Sequence, residues 1–406
     1  MLDNLRPQYA KQFRCIGSAC EDACCSGWDV TIDRTTYPKY ESLPAMRPLL
    51  KQSFTLLSES ESRHARINLD TSSRCPFFLK DNLCAIHRDF GESYLSETCT
   101  NYPRISRRID GLIEKPLVLS CPEAARLVLL SPELLPGYRR RDGKRGYDRL
   151  LAIPTSLASS DLGALRYIWE IRELCLLLLL DPVYDLWERL FILGMFCKKL
   201  AGLIESGYIE QIPLLLQGYA QIAVDGKLRD AMESVPVRLE AQVAMLLETV
   251  NSFFATRGPA QYRLHECLRD FLDGLHHADA PGVESCVGHY AEGYAKYYRP
   301  FMQRHPYLME NYLVNHVFRA RFPFSKGASL PLNPLNEYVF MCLEFSAIKG
   351  LLIGSAAYHR DAFSLEHVVK IVQSAVKALE HNDFVSRIIN WKGLSEPISM
   401  AALLKN

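Results

Sequence analysis

The sequence predicts an α+β protein, mainly α: a small cysteine-rich metal-binding module with short hairpins, followed by a larger irregular all-helical domain. Three observations carry that reading. Of 13 cysteines in 406 residues, eight lie in the first 121: Cys15, Cys20, Cys24, Cys25, Cys75, Cys84, Cys99 and Cys121. From about residue 150 onward, apolar side chains recur at three- and four-residue spacing, the period of a helix face. Between them, the stretch from Leu135-Pro136-Gly137 to Arg145-Gly146 breaks every periodicity and carries Arg139, Arg140, Arg141, Lys144 and Arg145. It reads as a basic linker or exposed loop, or as a docking patch for an acidic partner or an anionic membrane surface. The expected organisation is therefore a module over 1–135, a linker over 136–150 and a helical domain over 151–406.

Taken in order, Trp28 to Ile32 has the composition of a short strand. Phe77 to Ile86 resembles a hairpin turning at Lys80-Asp81-Asn82, and Ile105 to Leu119 another turning at Asp110-Gly111, a favoured hairpin dipeptide. Ser120-Cys121-Pro122-Glu123 has the form of a capping box, so a helix is expected to run from there to about Leu130. That places Cys121 at a helix N-terminus, where the dipole and free N–H groups favour a thiolate. Helical periodicity then covers Leu162–Leu180, Val183–Glu205, Ile209–Val224, Lys227–Phe254, Tyr262–His276, Val283–Tyr298, Tyr307–Arg321, Pro334–Tyr358 and Ser364–His381. There is neither a repeat of fixed period nor a β-α alternation.

Composition excludes several classes. With 48% hydrophobic and 23% charged residues the chain buries a sizeable core, which rules out disordered and low-complexity proteins. A formal charge of +1 gives no bulk electrostatic reason to bind nucleic acid. The start, Met1 to Arg14, has no signal-peptide core, and the apolar run Leu174 to Leu180 is too short to span a bilayer. A cytoplasmic protein with no transmembrane helix is expected, weak peripheral membrane association and homo-oligomers remaining open. In such a chain cysteines are metal ligands or free thiols rather than disulfides.

Four thiols within eleven residues, Cys15-x4-Cys20-x3-Cys24-Cys25, are too many to bury inertly in so loop-like a segment. Cys75-x8-Cys84-x14-Cys99 brings three more from a hairpin and the turn after it, and Cys121 makes eight. Spacing calls for a metal without choosing it: two tidy zinc knuckles are absent, and so is the CxxxCxxC order of radical enzymes that use S-adenosylmethionine. The remaining five, Cys175, Cys197, Cys267, Cys286 and Cys342, sit in apolar helical patterns and read as small hydrophobes.

The segments Phe13-Arg14-Cys15, Cys24-Cys25-Ser26-Gly27-Trp28, Arg74-Cys75-Pro76-Phe77-Phe78-Leu79, Leu83-Cys84-Ala85-Ile86 and Ser96-Glu97-Thr98-Cys99 through Tyr102-Pro103-Arg104 resemble the family of cysteine-rich iron- or zinc-chelating domains. With Glu310-Asn311-Tyr312-Leu313-Val314-Asn315 and Phe322-Pro323-Phe324, the whole chain resembles, within it, the flagellin lysine-N-methylase family of enteric bacteria. That resemblance implies methyl transfer from S-adenosylmethionine to lysine ε-amino groups of flagellin by a protein carrying a [4Fe–4S] cluster. No Gly-rich loop follows a predicted strand, so the cofactor would bind outside a Rossmann-type site. A cluster held by three thiolates leaves one iron open to the amino and carboxylate groups of S-adenosylmethionine, which permits a radical route. A polar displacement needs only a neutral lysine amine in line with the methyl group. The rival readings are a zinc-stapled, chaperone-like binder of flagellin and an iron–sulfur redox protein.

Other candidates are weaker. Asn311, Asn315 and Arg319 fall at i, i+4 and i+8 on one predicted helix and share a face, able to hold a cofactor's carboxylate or amino group or to cap neighbouring elements. Tyr290, Tyr294, Tyr297 and Tyr298 offer either interhelical packing or a cation–π surface. His87 is a further ligand candidate beside Cys84, and Trp28 a shield over the cysteines.

Overall fold

A computed structural model describes residues 7–22, 24–26, 30–60, 63–109, 112–135, 147–151, 163–226, 228–255, 262–279, 281–324, 333–380 and 396–406. The expected basic loop over Arg139–Arg145, the Asp110-Gly111 turn and Trp28 lie outside them. The fold is α+β and mainly helical, as the periodicity predicts.

The N-terminal part holds β1 (Thr31–Ile32), α1 (Tyr37–Ser42), α2 (Arg47–Ser53), β2 (Phe54–Ser60), β3 (Arg63–Ile67), α3 (Ala85–Phe90), α4 (Glu97–Asn101), β4 (Arg107–Ile109), β5 (Leu112–Glu114) and α5 (Pro122–Leu129). β1, β3 and β2 form an antiparallel sheet with β3 in the middle, Thr31 opposite Arg66 and Phe54 opposite Ile67. β4 and β5 pair as expected on either side of Asp110-Gly111. The expected hairpin at Phe77–Ile86 is instead a tight turn closed by a single Phe78–Cys84 bridge, because α3 begins at Ala85. The β2–β3 hairpin escapes sequence patterning: Phe54 is buried opposite Ile67, but Leu56, opposite buried Ala65, is 61% exposed, so the apolar alternation stops after one residue on β2.

The helical part continues with α6 (Asp148–Leu151), α7 (Ile168–Leu179), α8 (Leu186–Glu205), α9 (Ile212–Asp225), α10 (Arg229–Glu233), α11 (Leu239–Ala255), α12 (Tyr262–Gly274), α13 (Val283–Gly293), α14 (Arg299–Arg304), α15 (Tyr307–Ala320), α16 (Pro334–His359), α17 (Leu365–Glu380) and α18 (Pro397–Leu404). The single helix expected over Lys227–Phe254 is broken at Ser234–Arg238, where Pro236 withholds an amide hydrogen. The centre is α16, a longer apolar helix than the Leu174–Leu180 run had suggested. Among the described residues, Pro334–Ala362 alone has the length and apolarity to cross a membrane, and 89% of its most apolar window is buried inside the fold. It crosses α12 so closely that a Cβ on Gly274 would lie 2.0 Å from the Gly354 carbonyl oxygen, which is why both positions are glycine.

Two apolar clusters form, and they do not part at the 136–150 linker. Val30, Ile32, Tyr40, Phe54, Ile67, Phe77 and Ile86 pack into a small core of their own. Tyr9, Phe13, Leu117, Leu119 and the buried face of α5 join the main helical core. Polar bolts fasten the same seam. Arg172 on α7 meets Glu114 on β5 at 2.6 Å, both side chains fully buried. Asn311 Nδ2 donates to the carbonyls of Val128, Leu129 and Ser131 at the end of α5.

Candidate metal centre

The cysteines are presented by turns and helix starts rather than by strands. A short 3₁₀ turn, Gly17–Ala19, separates Cys15 from Cys20. The Cys25 carbonyl accepts the Cys75 N–H at 2.8 Å, and Ser26 bridges Arg74, so the first cysteine loop lies against the second. Cys84 is the N-cap of α3 and accepts backbone hydrogen bonds from Ile86 and His87. Cys99 sits inside α4, whose Ser96 cap accepts the Cys99 N–H. That helix start is tied to β1 through Asp33, which accepts the Glu97 N–H at 2.8 Å, and through the Thr31–Thr98 hydroxyl pair.

Cys121, not Ser120, is the N-cap of α5, and no side-chain cap forms. Ser120 faces the Tyr102 hydroxyl instead, and Glu123 pairs with Arg126. The expected thiolate bias at Cys121 is also reversed. Burial pushes its thiol up to about 12, outweighing the hydrogen bonds from Ala124 and Glu123. Burial likewise raises Cys75 and Cys99 to about 12, and raises Cys20 and Cys84. Cys24 and Cys25, their sulfurs 3.8 Å apart, titrate as a pair: the thiol of Cys25 stabilises the Cys24 thiolate, holding Cys24 down near about 7 and raising Cys25.

The thiols sense one another's charge in one connected neighbourhood. Cys24 lies within electrostatic reach of Cys20, Cys75, Cys84, Cys99 and Cys121, and Cys25 of Cys75 and Cys84. Cys15 is exposed at the margin, its sulfur accepting the Gly17 N–H at 3.4 Å. Among the described residues no three Cys, His, Asp or Glu side chains converge on one ion position. His87 is exposed on α3 and contributes its backbone N–H, not its ring. An all-sulfur donor set, with Cys75 and Cys121 buried and backbone N–H groups at Cys84 and Cys121 that stabilise thiolates, has the chemistry of a site for a thiophilic metal group. The other five cysteines are buried in the helical core.

One wall of this site was invisible in the sequence. From α17, Lys377 reaches both carboxylate oxygens of Asp22 at 3.0 Å and the Ser26 hydroxyl at 3.2 Å. Gln373, one turn earlier, donates to Asp22 at 2.7 Å and to the Ser120 carbonyl at 2.9 Å. The Asn311, Asn315 and Arg319 stripe does share a face of α15, and all three side chains make internal contacts. Asn315 donates to the Leu117 carbonyl and accepts from the Tyr9 hydroxyl at 2.6 Å, so its carboxamide, like that of Asn311, buckles the α5 region to α15. Arg319 meets Glu344 at 3.4 Å. Of the tyrosines, Tyr290 donates to Gln242 and Tyr294 packs on Tyr298. The Tyr294 ring also faces the ammonium of buried Lys349 at 5.7 Å, an internal cation–π contact.

Residues 172–404 match the family described as the FliB lysine N-methylase C-terminal domain. Over 392 residues the chain is 23% identical to lysine-N-methylases of Salmonella choleraesuis strain SC-B67 and Salmonella typhimurium strain LT2, covering 94% of this chain and 92% of each relative. It is 33% identical over 132 residues to the flagellar biosynthetic protein FliU of Salmonella muenchen, covering 32% of this chain and 78% of that protein. No solved structure matches it. Since the family match spans more than half of the sequence and begins at Arg172, the residue that bolts α7 to β5, the chain belongs to the FliB lysine N-methylase family.

Proposed function

We propose that this protein methylates lysine ε-amino groups of flagellin in the cytoplasm, with S-adenosylmethionine as methyl donor and a [4Fe–4S] cluster held by the N-terminal cysteines. The observation that carries the reading is likeness along nearly the whole chain to proteins named lysine-N-methylase, in a molecule that places six of the other seven N-terminal thiols within electrostatic reach of Cys24. The flagellar name of a third relative supports flagellin as substrate.

In the polar form of the reaction, the lysine nitrogen lone pair forms a bond to the methyl carbon. The carbon–sulfur bond breaks with its electrons staying on sulfur, leaving a neutral thioether, and the amine loses a proton to a base. A free lysine has a pKa of about 10.4, so only roughly one side chain in 2,500 is neutral at pH 7, and the site must desolvate or deprotonate it. A bound cluster would supply an electron-rich, Lewis-acidic centre able to anchor the amino and carboxylate groups of the donor.

Anaerobically reconstituted protein, incubated with reductant, S-adenosylmethionine and purified flagellin, is expected to add methyl groups to flagellin well beyond one per enzyme molecule, read by intact mass. Flagellin of unchanged mass with a fully loaded centre would replace this reading by a non-catalytic flagellin-binding module.

A further inference from the structure

The cysteine loop is an unfavourable structure on its own. Residues 15–25 carry four thiols and two carboxylates, Glu21 and Asp22, within eleven positions, with one 3₁₀ turn as their regular structure. Any thiolate formed there is repelled by those carboxylates, and ordering each backbone residue costs about 1–2 kcal/mol of conformational entropy. What opposes these costs comes from far along the chain. Lys377 holds the Asp22 carboxylate symmetrically, both side chains nearly buried, and reaches Ser26 directly after Cys25. Gln373 joins Asp22 to the carbonyl of Ser120, the residue before Cys121. Its own oxygen is fixed by Arg263 of α12, while Tyr262 donates to the Glu21 carbonyl at 2.8 Å and Arg126 of α5 pairs with the Glu21 carboxylate. One turn of α17 therefore contacts both the Cys20–Cys25 loop and the residue before the Cys121 helix start.

We propose that Lys377 and Gln373 are positioning residues of the cysteine centre: α17 clamps the Cys20–Cys25 loop against Cys121, and the metal group is retained only while that clamp is closed. The proposal rests on the reading that these cysteines hold a metal group and does not depend on which one. It makes the centre a joint product of the two parts of the chain. Lys377 holds Asp22 and Ser26 by hydrogen bonds and its charge also favours the Cys24 thiolate, while Gln373 acts through Asp22 and Ser120.

The test uses the full chain, loaded anaerobically with ferrous iron and sulfide in one series and with zinc in another. Release of metal to a chelator is followed by absorbance, and far-UV circular dichroism reports the helices. Lys377→Met and Gln373→Ala are expected to release metal about 10–100-fold faster than wild type with unchanged helix content, the size usual when a residue supporting metal ligands is lost. Lys377→Arg keeps the charge and should stay near wild type. Lys370→Met, on the same helix but paired outward with Glu266, serves as control and should release metal as wild type does. If Lys377→Met does not fold, Gln373→Ala decides. Release within about twofold of wild type in the folded variants, or equal acceleration in Lys370→Met, overturns the clamp. Wild-type protein that holds zinc and takes up no iron overturns the cluster reading instead, and the zinc series then judges the clamp.

Discussion

Replacing Arg172 by Met tests how the cysteine-bearing part is joined to the helical part. Its guanidinium is fully buried, donates to Glu114 Oε1 at 2.6 Å, and lies 5.5 Å from the rings of both Trp169 and Phe318. Its Nε and Nη2 find no hydrogen-bond acceptor among the described residues, so the aromatic faces and one carboxylate hold the charge. Methionine fills similar volume without charge, which leaves the buried Glu114 carboxylate facing an apolar group. Breaking one side of a buried ion pair costs about 3–5 kcal/mol, while replacing both sides with apolar groups of similar size is often neutral. Taking a urea slope of about 3 kcal/mol per molar, Arg172→Met should lower the unfolding midpoint by about 1–1.7 M. The double variant Arg172→Met with Glu114→Leu should recover most of that loss. Equilibrium urea unfolding followed by tryptophan fluorescence measures both. A single variant within about 0.3 M of wild type, or a double variant worse than the single, would refute the view that this pair is a buried charge-compensated bolt.

Serine at Cys20, Cys24, Cys75 or Cys99 should abolish iron binding and activity together, because a hydroxyl is a poor soft ligand, while Cys175→Ala and Cys342→Ala in the helical core should keep both; iron analysis after reconstitution decides. Asn315→Ala should lower stability by about 1–3 kcal/mol by stranding the Tyr9 hydroxyl and the Leu117 carbonyl, and calorimetric titration with S-adenosylmethionine shows whether cofactor binding falls beyond what that loss explains. Glu344 is buried, which alone would raise its pKa, yet its hydrogen bond with His316 and the charge of Arg319 bring it down to about 2. A depressed carboxylate stabilises the fold above its unfolded value of about 4.3 and loses that contribution as pH falls toward 2, so Glu344→Gln should flatten the decline of the urea midpoint between pH 5 and 3.

Periodicity alone determined most of the helical part, because helices such as α8, α15 and α17 carry their apolar stripe within one continuous segment and need no partner to be recognised. The thiol set was legible for the same local reason: four cysteines in eleven residues are a chemical signal whatever the fold. Three things were decided only by tertiary structure. Patterning placed the seam at the 136–150 linker, but burial puts Tyr9, Phe13 and α5 into the helical core, since apolar residues join whichever surface covers them. The Asn311 and Asn315 stripe was visible as a polar face, yet the carbonyls of α5 and Leu117 that it serves lie some 180–200 positions away in the chain. The cation beside Asp22 comes from Lys377, 355 positions later, and no local pattern marks a lysine as different from its neighbours until the fold buries it. Spacing names the groups that can do chemistry and even places Cys25 beside the Cys24 it helps to ionise, whereas the desolvation that raises Cys121 belongs to the folded surroundings alone.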